Sequence, residues 1–210
     1  MPGGSSKAGP KHQRRRGTRT EKRTFLVYCE GLRTETDYLE ALKEVPEIRD
    51  RASVEVHIDY EKSGQPPMKL VEAAVDGPGA EDEDDEIDEV WCVFDVEWPT
   101  NHPKLDEALD LAQSRGIRTA ISNPCFEYWL VLHFDQPLEW LTTAEACDLR
   151  QSLDQSDGKE VDGAQYMPRR SIALRRARYI ERRHANDGNE FPCNNPSTGM
   201  HALLAAIEEP

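Results

Sequence analysis

No apolar run in this chain of 210 residues reaches the roughly 20 residues that a membrane-spanning helix needs. The opening stretch MPGGSSKAGPKHQRRRGTR lacks the apolar segment of a secretory signal, so the expectation is a protein neither embedded in a membrane nor exported by that route. Cysteine is sparse: five residues at wide spacings, with no CxxC pair. That pattern argues against a disulfide framework or a structural zinc site and for a reducing, cytoplasmic compartment. GxxxxGK[ST], a GxGxxG after a strand, HExxH and GxSxG are all missing. A P-loop ATPase is thereby excluded, and no nucleotide cofactor is indicated.

Positive charge is also scarce, with 26 Lys and Arg against 40 Asp and Glu and a net charge of −14. The cations are segregated. Residues 1–23 hold eight of them against Glu21 alone, a local +7 that leaves −21 for the rest. Gly, Pro and Ser accompany these cations, which predicts a disordered basic tail, serving either solubility or phosphate binding. A second basic run comprises Arg169, Arg170, Arg175, Arg176, Arg178, Arg182 and Arg183. Between them Ala173, Ala177 and Ile180 keep helical spacing, so one stripe packs while the arginines cover much of the remainder. Guanidinium forks fit phosphate oxygens, and the run reads as a nucleic-acid contact or as a solvated face that pairs with this chain's many carboxylates. The run EDEDDEIDE at 81–89 reads as an exposed acidic loop.

Apolar residues make up 37% of the chain, and they arrive in dense runs. TFLVYC at 24–29 and EVWCVFD at 89–95 are continuously apolar, as strands covered on both faces are. SVEVHIDY at 53–60 alternates, with Val54, Val56 and Ile58 on one face, and residues 117–121 give a fourth strand. Helices are expected from Thr34, with Asp37 as a capping-box partner, over 68–75, from Pro103 to Gly116, over 126–134, through the arginine run, and at the end on Met200, Leu203, Leu204 and Ile207. Residues 136–168 are less regular, and 152–163 reads as a mobile loop. Strand and helix alternate, which predicts an α/β sandwich with a mostly parallel, four-stranded central sheet flanked by helices. The organisation expected is a tail over 1–23, an α/β core over 24–135 and a helical extension of the same domain over 136–210.

In such a sheet, functional groups gather at the carboxyl ends of the strands. The first strand ends in Cys29-Glu30-Gly31 and the third in Asp95-Val96-Glu97. If these strands are parallel neighbours, Glu30, Asp95 and Glu97 converge. Asp95 and Glu97 then share a side, provided the extended backbone continues. Like charges so placed repel unless a cation sits among them, and an all-oxygen set suits Mg²⁺ or Mn²⁺. Glu30 would be a ligand or the group that moves a proton. The plainer alternative is that acidic residues simply end strands. After the fourth strand, Asn123 and Glu127 border the same patch, with Pro124 in the first turn of a helix. His133 is read as structural.

The segments FLVYCEGLRTETDYLEAL, EVWCVFDVEWPTNH, AISNPCFEYWLVLHF and NNPSTGMHALL, in that order, closely resemble the RloB-like family over nearly all of residues 22–207. The resemblance implies a Toprim-like core with a catalytic Glu after the first strand, matched by Glu30. It also implies a DxD motif that holds Mg²⁺ with that Glu, matched by Asp95 and by Glu97 where Asp is usual. It implies further a bacterial protein of phage defence, often encoded beside an AAA/ABC-type ATPase. The activity expected on this basis is Mg²⁺-dependent cleavage of DNA or tRNA during abortive infection. The alternative is a non-catalytic sensor or adaptor that binds the ATPase.

Overall fold

The computed structural model describes residues 22–57, 66–77, 87–100 and 102–208. Nearly all of the basic tail, the distal end of the second strand and most of the acidic run lie outside these residues. The architecture is α/β, built on a five-stranded sheet in the order β2-β1-β3-β4-β5. β1 (Arg23–Cys29), β2 (Ala52–His57), β3 (Glu89–Asp95) and β4 (Arg118–Asn123) are mutually parallel. The fifth strand corrects the expected four: β5 (Ser197–Thr198) adds two residues antiparallel to β4. Two residues carry no readable alternation, and the edge position follows instead from the close approach of Gly199, whose Cβ would stand 2.9 Å from the Ile121 nitrogen.

The dense apolar runs are explained by burial on both faces. Phe25, Val27, Cys29, Trp91 and Val93 point into one core, while Leu26, Tyr28, Cys92 and Phe94 point into another. The second core is closed by α3 (Pro67–Asp76) and α4 (Leu105–Ser114). The first lies under α1 (Thr34–Lys43), the short α2 (Pro46–Arg49), α5 (Phe126–Val131), α7 (Gly163–Tyr166), α8 (Arg170–Asp187) and α9 (Met200–Glu208), and α6 (Thr143–Asp154) packs on α5. The expected stripes, Ala173, Ala177 and Ile180 on α8 and Met200, Leu203, Leu204 and Ile207 on α9, are buried. Among the described residues no helix is long and apolar enough to cross a membrane.

Three local expectations are corrected. Thr34 does not cap α1: it is the first helical residue, Arg33 precedes it without a side-chain cap bond, and the Thr34 hydroxyl instead donates to the Lys159 carbonyl at 3.3 Å. Pro124 lies outside α5, which begins at Phe126 after Cys125 in the capping position. The segment read as a mobile loop is helical to Asp154 and is then pinned. Buried Arg150 donates to the carbonyls of Gly158 and Glu160 and pairs with Asp154, and the Val161 N–H reaches Asp37. The capping box that starts α6, Thr142 with Glu145, stood in the sequence as TTAE and was the signal for order there.

Candidate functional site

Because β1 and β3 are parallel neighbours, their carboxyl ends lie side by side. Glu30 continues β1, with its N–H bonded to the Val93 carbonyl at 3.1 Å. Asp95 closes β3 and donates its N–H to Glu30 Oε2 at 3.4 Å. The extended backbone does not continue to Glu97. That residue turns to φ 61°, and its N–H bonds to the Pro124 carbonyl at 2.8 Å. The two carboxylates therefore part company: Glu97 is exposed, and Asp95 is turned inward with its Oδ1 fully enclosed and without a protein partner. Both line one cleft of about 480 Å³, shared with Glu30, Glu35, Cys125, Glu127, Cys147 and Lys159.

Five carboxylates around one cleft produce marked electrostatic strain. Glu35, on the first turn of α1, is buried at 6% exposure, and its carboxyl packs so closely on Gly31 that a Cβ there would stand 1.9 Å from Oε2. Burial, reinforced by Glu127 and Glu30, lifts the Glu35 pKa to about 7, against the pull of its own backbone N–H. Burial and the neighbouring Glu35, Glu127 and Glu30 also push Asp95 well above the ordinary carboxylate range, and only a hydrogen bond from the Phe126 backbone opposes this. His102, from the loop after β3, brings Nε2 to 3.1 Å from Glu30 Oε1 and 3.7 Å from Glu97 Oε2. The approach lacks hydrogen-bond alignment and leaves Nε2 without a hydrogen-bond partner, but the contact with Glu30 raises the imidazole pKa despite partial burial.

Of the residues singled out in the sequence, Glu30, Asp95, Glu97 and Glu127 come together in this cleft. Asn123 does not. Its amide donates to the Pro192 carbonyl and to Asn194 Oδ1, and its own oxygen accepts from Asn195, so it ties β4 to the loop before β5. The arginine run is not brought to the cleft either. Arg178 and Arg182 line a groove with Arg23, Glu89 and Arg118, the first residues of β1, β3 and β4, which places them at the opposite ends of strands about 20 Å long. Arg176 and Arg183 are committed to the carbonyls of Leu132 and Leu138, Arg170 to Glu208, and Arg169 to the Gln165 carbonyl. Arg175 is exposed. Among the described residues the cations lining the cleft are Lys159 and Arg33, the latter paired with exposed Glu160 at 3.2 Å.

His133 is structural, as read. It is buried against Tyr38, Trp129 and Tyr166, and desolvation lowers its pKa to about 4. Glu35, His102, Cys147, Arg33 and Lys159 were not anticipated. Glu35 carried one usable signal, its place in the first turn of the helix that follows the acidic strand end.

A family model described as RloB-like protein matches residues 25–207, whereas no curated protein and no solved structure matches the chain.

Proposed function

The chain belongs to the RloB-like family, and from that premise we propose that it is a Toprim-like, Mg²⁺-dependent nuclease that cuts phosphodiester bonds in bacterial anti-phage defence. The observation that carries this reading is the cleft itself. Carboxylates from the ends of two adjacent parallel strands face one another, and Asp95 Oδ1 is enclosed without a partner. An enclosed, unpaired carboxylate oxygen among like charges is costly to ionise, having lost its water, and is favoured beside a cation. The oxygen donors fit a hard cation such as Mg²⁺ or Mn²⁺: Glu30 and Glu97 already bring one oxygen each within 4.8 Å of the other and of a His102 ring nitrogen, and the enclosed Asp95 carboxylate would join them as a third carboxylate ligand. Bound there, such an ion would polarise a phosphoryl oxygen and acidify a water.

The remaining roles fall to the chain's own side chains. Arg33 and Lys159 at the cleft take the phosphate oxygens, a task the sequence had assigned to the arginine run. His102, whose pKa is raised by the contact with Glu30 3.1 Å away, would supply a proton to the departing oxygen. Arg175, Tyr179 and Arg182 form an exposed stripe at helical spacing on α8, away from the cleft. That stripe is the observation favouring the second reading, a non-catalytic adaptor that docks on a defence ATPase of the AAA/ABC type.

Incubating the full chain with plasmid, single-stranded DNA and total tRNA, in Mg²⁺, Mn²⁺ or EDTA, separates the two readings. The expected result is metal-dependent cutting of one substrate class, reduced by about 10² or more in Glu30→Gln with the thermal melt no lower than wild type. Cutting that survives in Glu30→Gln contradicts the mechanism.

A further inference from the structure

One wall of the cleft is built of different chemistry from the rest. Cys125 caps α5 and is 1% exposed. Glu127 stands two residues on, in the first turn of the same helix, and Cys147 projects from the second turn of α6, half-buried. The two cysteines are 22 positions apart in the chain, with no motif spacing to join them; the packing of α5 on α6 does so. One atom from each of Cys125, Glu127 and Cys147 lies within 4.8 Å of the others. Ligand atoms around a tetrahedral zinc ion stand about 3.3–3.8 Å apart, given Zn–S near 2.3 Å and Zn–O near 2.0–2.2 Å. Closing that gap takes a shift of about 1 Å, within the rotamer freedom of Glu127 and the half-exposed Cys147.

We infer that Cys125, Cys147 and Glu127 form a binding site for a thiophilic divalent cation of the zinc type, distinct from the oxygen-only set of Glu30, Asp95 and Glu97. Two thiolates select a soft ion over Mg²⁺, which prefers oxygen. Three protein ligands on the wall of an open cleft leave the fourth position to water or substrate, the arrangement of open rather than structural zinc sites. The surroundings are acidic: Glu35 lies close enough to act on Glu127 electrostatically, and Asp95 close enough to act on Cys125. Lys159, the cation that faces Cys147, is exposed and free to swing toward solvent. The Thr143 hydroxyl, enclosed beside the pair without a protein partner, offers a hydrogen bond to a bound water. On binding, each thiol gives up its proton to solvent as its sulfur takes the metal.

The test needs neither Mg²⁺ nor nucleic acid, so its failure leaves the nuclease proposal standing. The full chain, with exposed Cys193 changed by Cys193→Ser, is titrated anaerobically with Co²⁺ and then displaced with Zn²⁺. The expected result is a thiolate-to-cobalt charge-transfer band that saturates at one ion per chain, whatever Co²⁺ the oxygen-only site takes besides, and protection of Cys125 and Cys147 from alkylation by Zn²⁺, read by mass. Cys147→Ser, at a half-exposed position that tolerates the change, should lower the band and weaken binding by more than the roughly 10–100-fold that an outer-shell loss costs. Glu127→Gln should keep the band and weaken binding. The inference is overturned if no thiolate band forms, if the band is undiminished in Cys147→Ser, or if Zn²⁺ protects neither thiol.

Discussion

Glu35→Gln should make this protein more stable at pH 8 and no more stable at pH 4.5. The ordinary Glu pKa of 4.5 rises to about 7 in the folded chain. Below 4.5 the group is protonated in both states and contributes nothing. Between 4.5 and 7 the unfolded chain ionises while the folded one holds its proton, so stability falls as pH rises. Above 7 both are ionised, and the accumulated loss is about 3 kcal/mol, at 1.36 kcal/mol per unit. A glutamine keeps the shape and removes the titration, so the variant's advantage should grow across that window to about 3 kcal/mol, roughly 6–12 °C in melting temperature for a chain of this size. Melting curves at the two pH values decide it. An advantage that does not change with pH, or none at pH 8, would mean that burial and the neighbouring carboxylates do not hold Glu35 protonated in the folded chain. A stability cost carried at one cleft is the pattern expected of a site kept for function rather than for folding.

The second large effect concerns the support of the cleft. Arg150 and Asp154 are almost wholly enclosed, with the Arg150 Nε 2.7 Å from the Asp154 carboxylate. The Tyr166 hydroxyl donates to the same carboxylate, while the guanidinium holds the carbonyls of Gly158 and Glu160 on either side of Lys159. Asp154→Ala leaves the guanidinium charged, buried and without its counter-ion, which costs about 3–5 kcal/mol. The double change Arg150→Met with Asp154→Leu removes both charges and should recover most of that loss. It also releases the carbonyls of 158 and 160, so Lys159 should leave the cleft and substrate affinity should fall although the fold is restored. Chemical denaturation of the three proteins, alongside substrate binding, reads both effects. A double variant as unstable as Asp154→Ala would show that packing, not charge, sets the cost.

What the sequence revealed and what it hid follow from one distinction. β1 and β3 were legible because burial on both faces forces unbroken apolar runs, and their ends identified Glu30 and Asp95. Glu127 was found because it follows β4 directly. The side chains contributed by packing between distant elements were not legible: Cys147 and Lys159 enter the cleft through α6 and the loop pinned by Arg150, and His102 reaches Glu30 and Glu97 through a turn without periodicity. The arginine run was visible as composition, but composition does not say which end of a sheet a helix crosses, and Arg178 and Arg182 fall at the far end. Asn123 stood at a strand end like Asp95, yet the two-residue β5 beside it turned its amide into a structural tie. Glu97 lines the cleft by another route than the strand pattern implied, since its backbone turns left-handed instead of continuing the strand.

The most direct measurement is Mn²⁺ binding to the full chain, followed by electron paramagnetic resonance as the free aquo-ion signal disappears, with Asp95→Asn in parallel. A hard-cation site made by Glu30, Asp95 and Glu97 predicts one ion per chain, displaced by Mg²⁺, and its loss in Asp95→Asn while that variant melts no lower than wild type. Binding undiminished in Asp95→Asn, or no binding by the wild-type protein, would contradict the account.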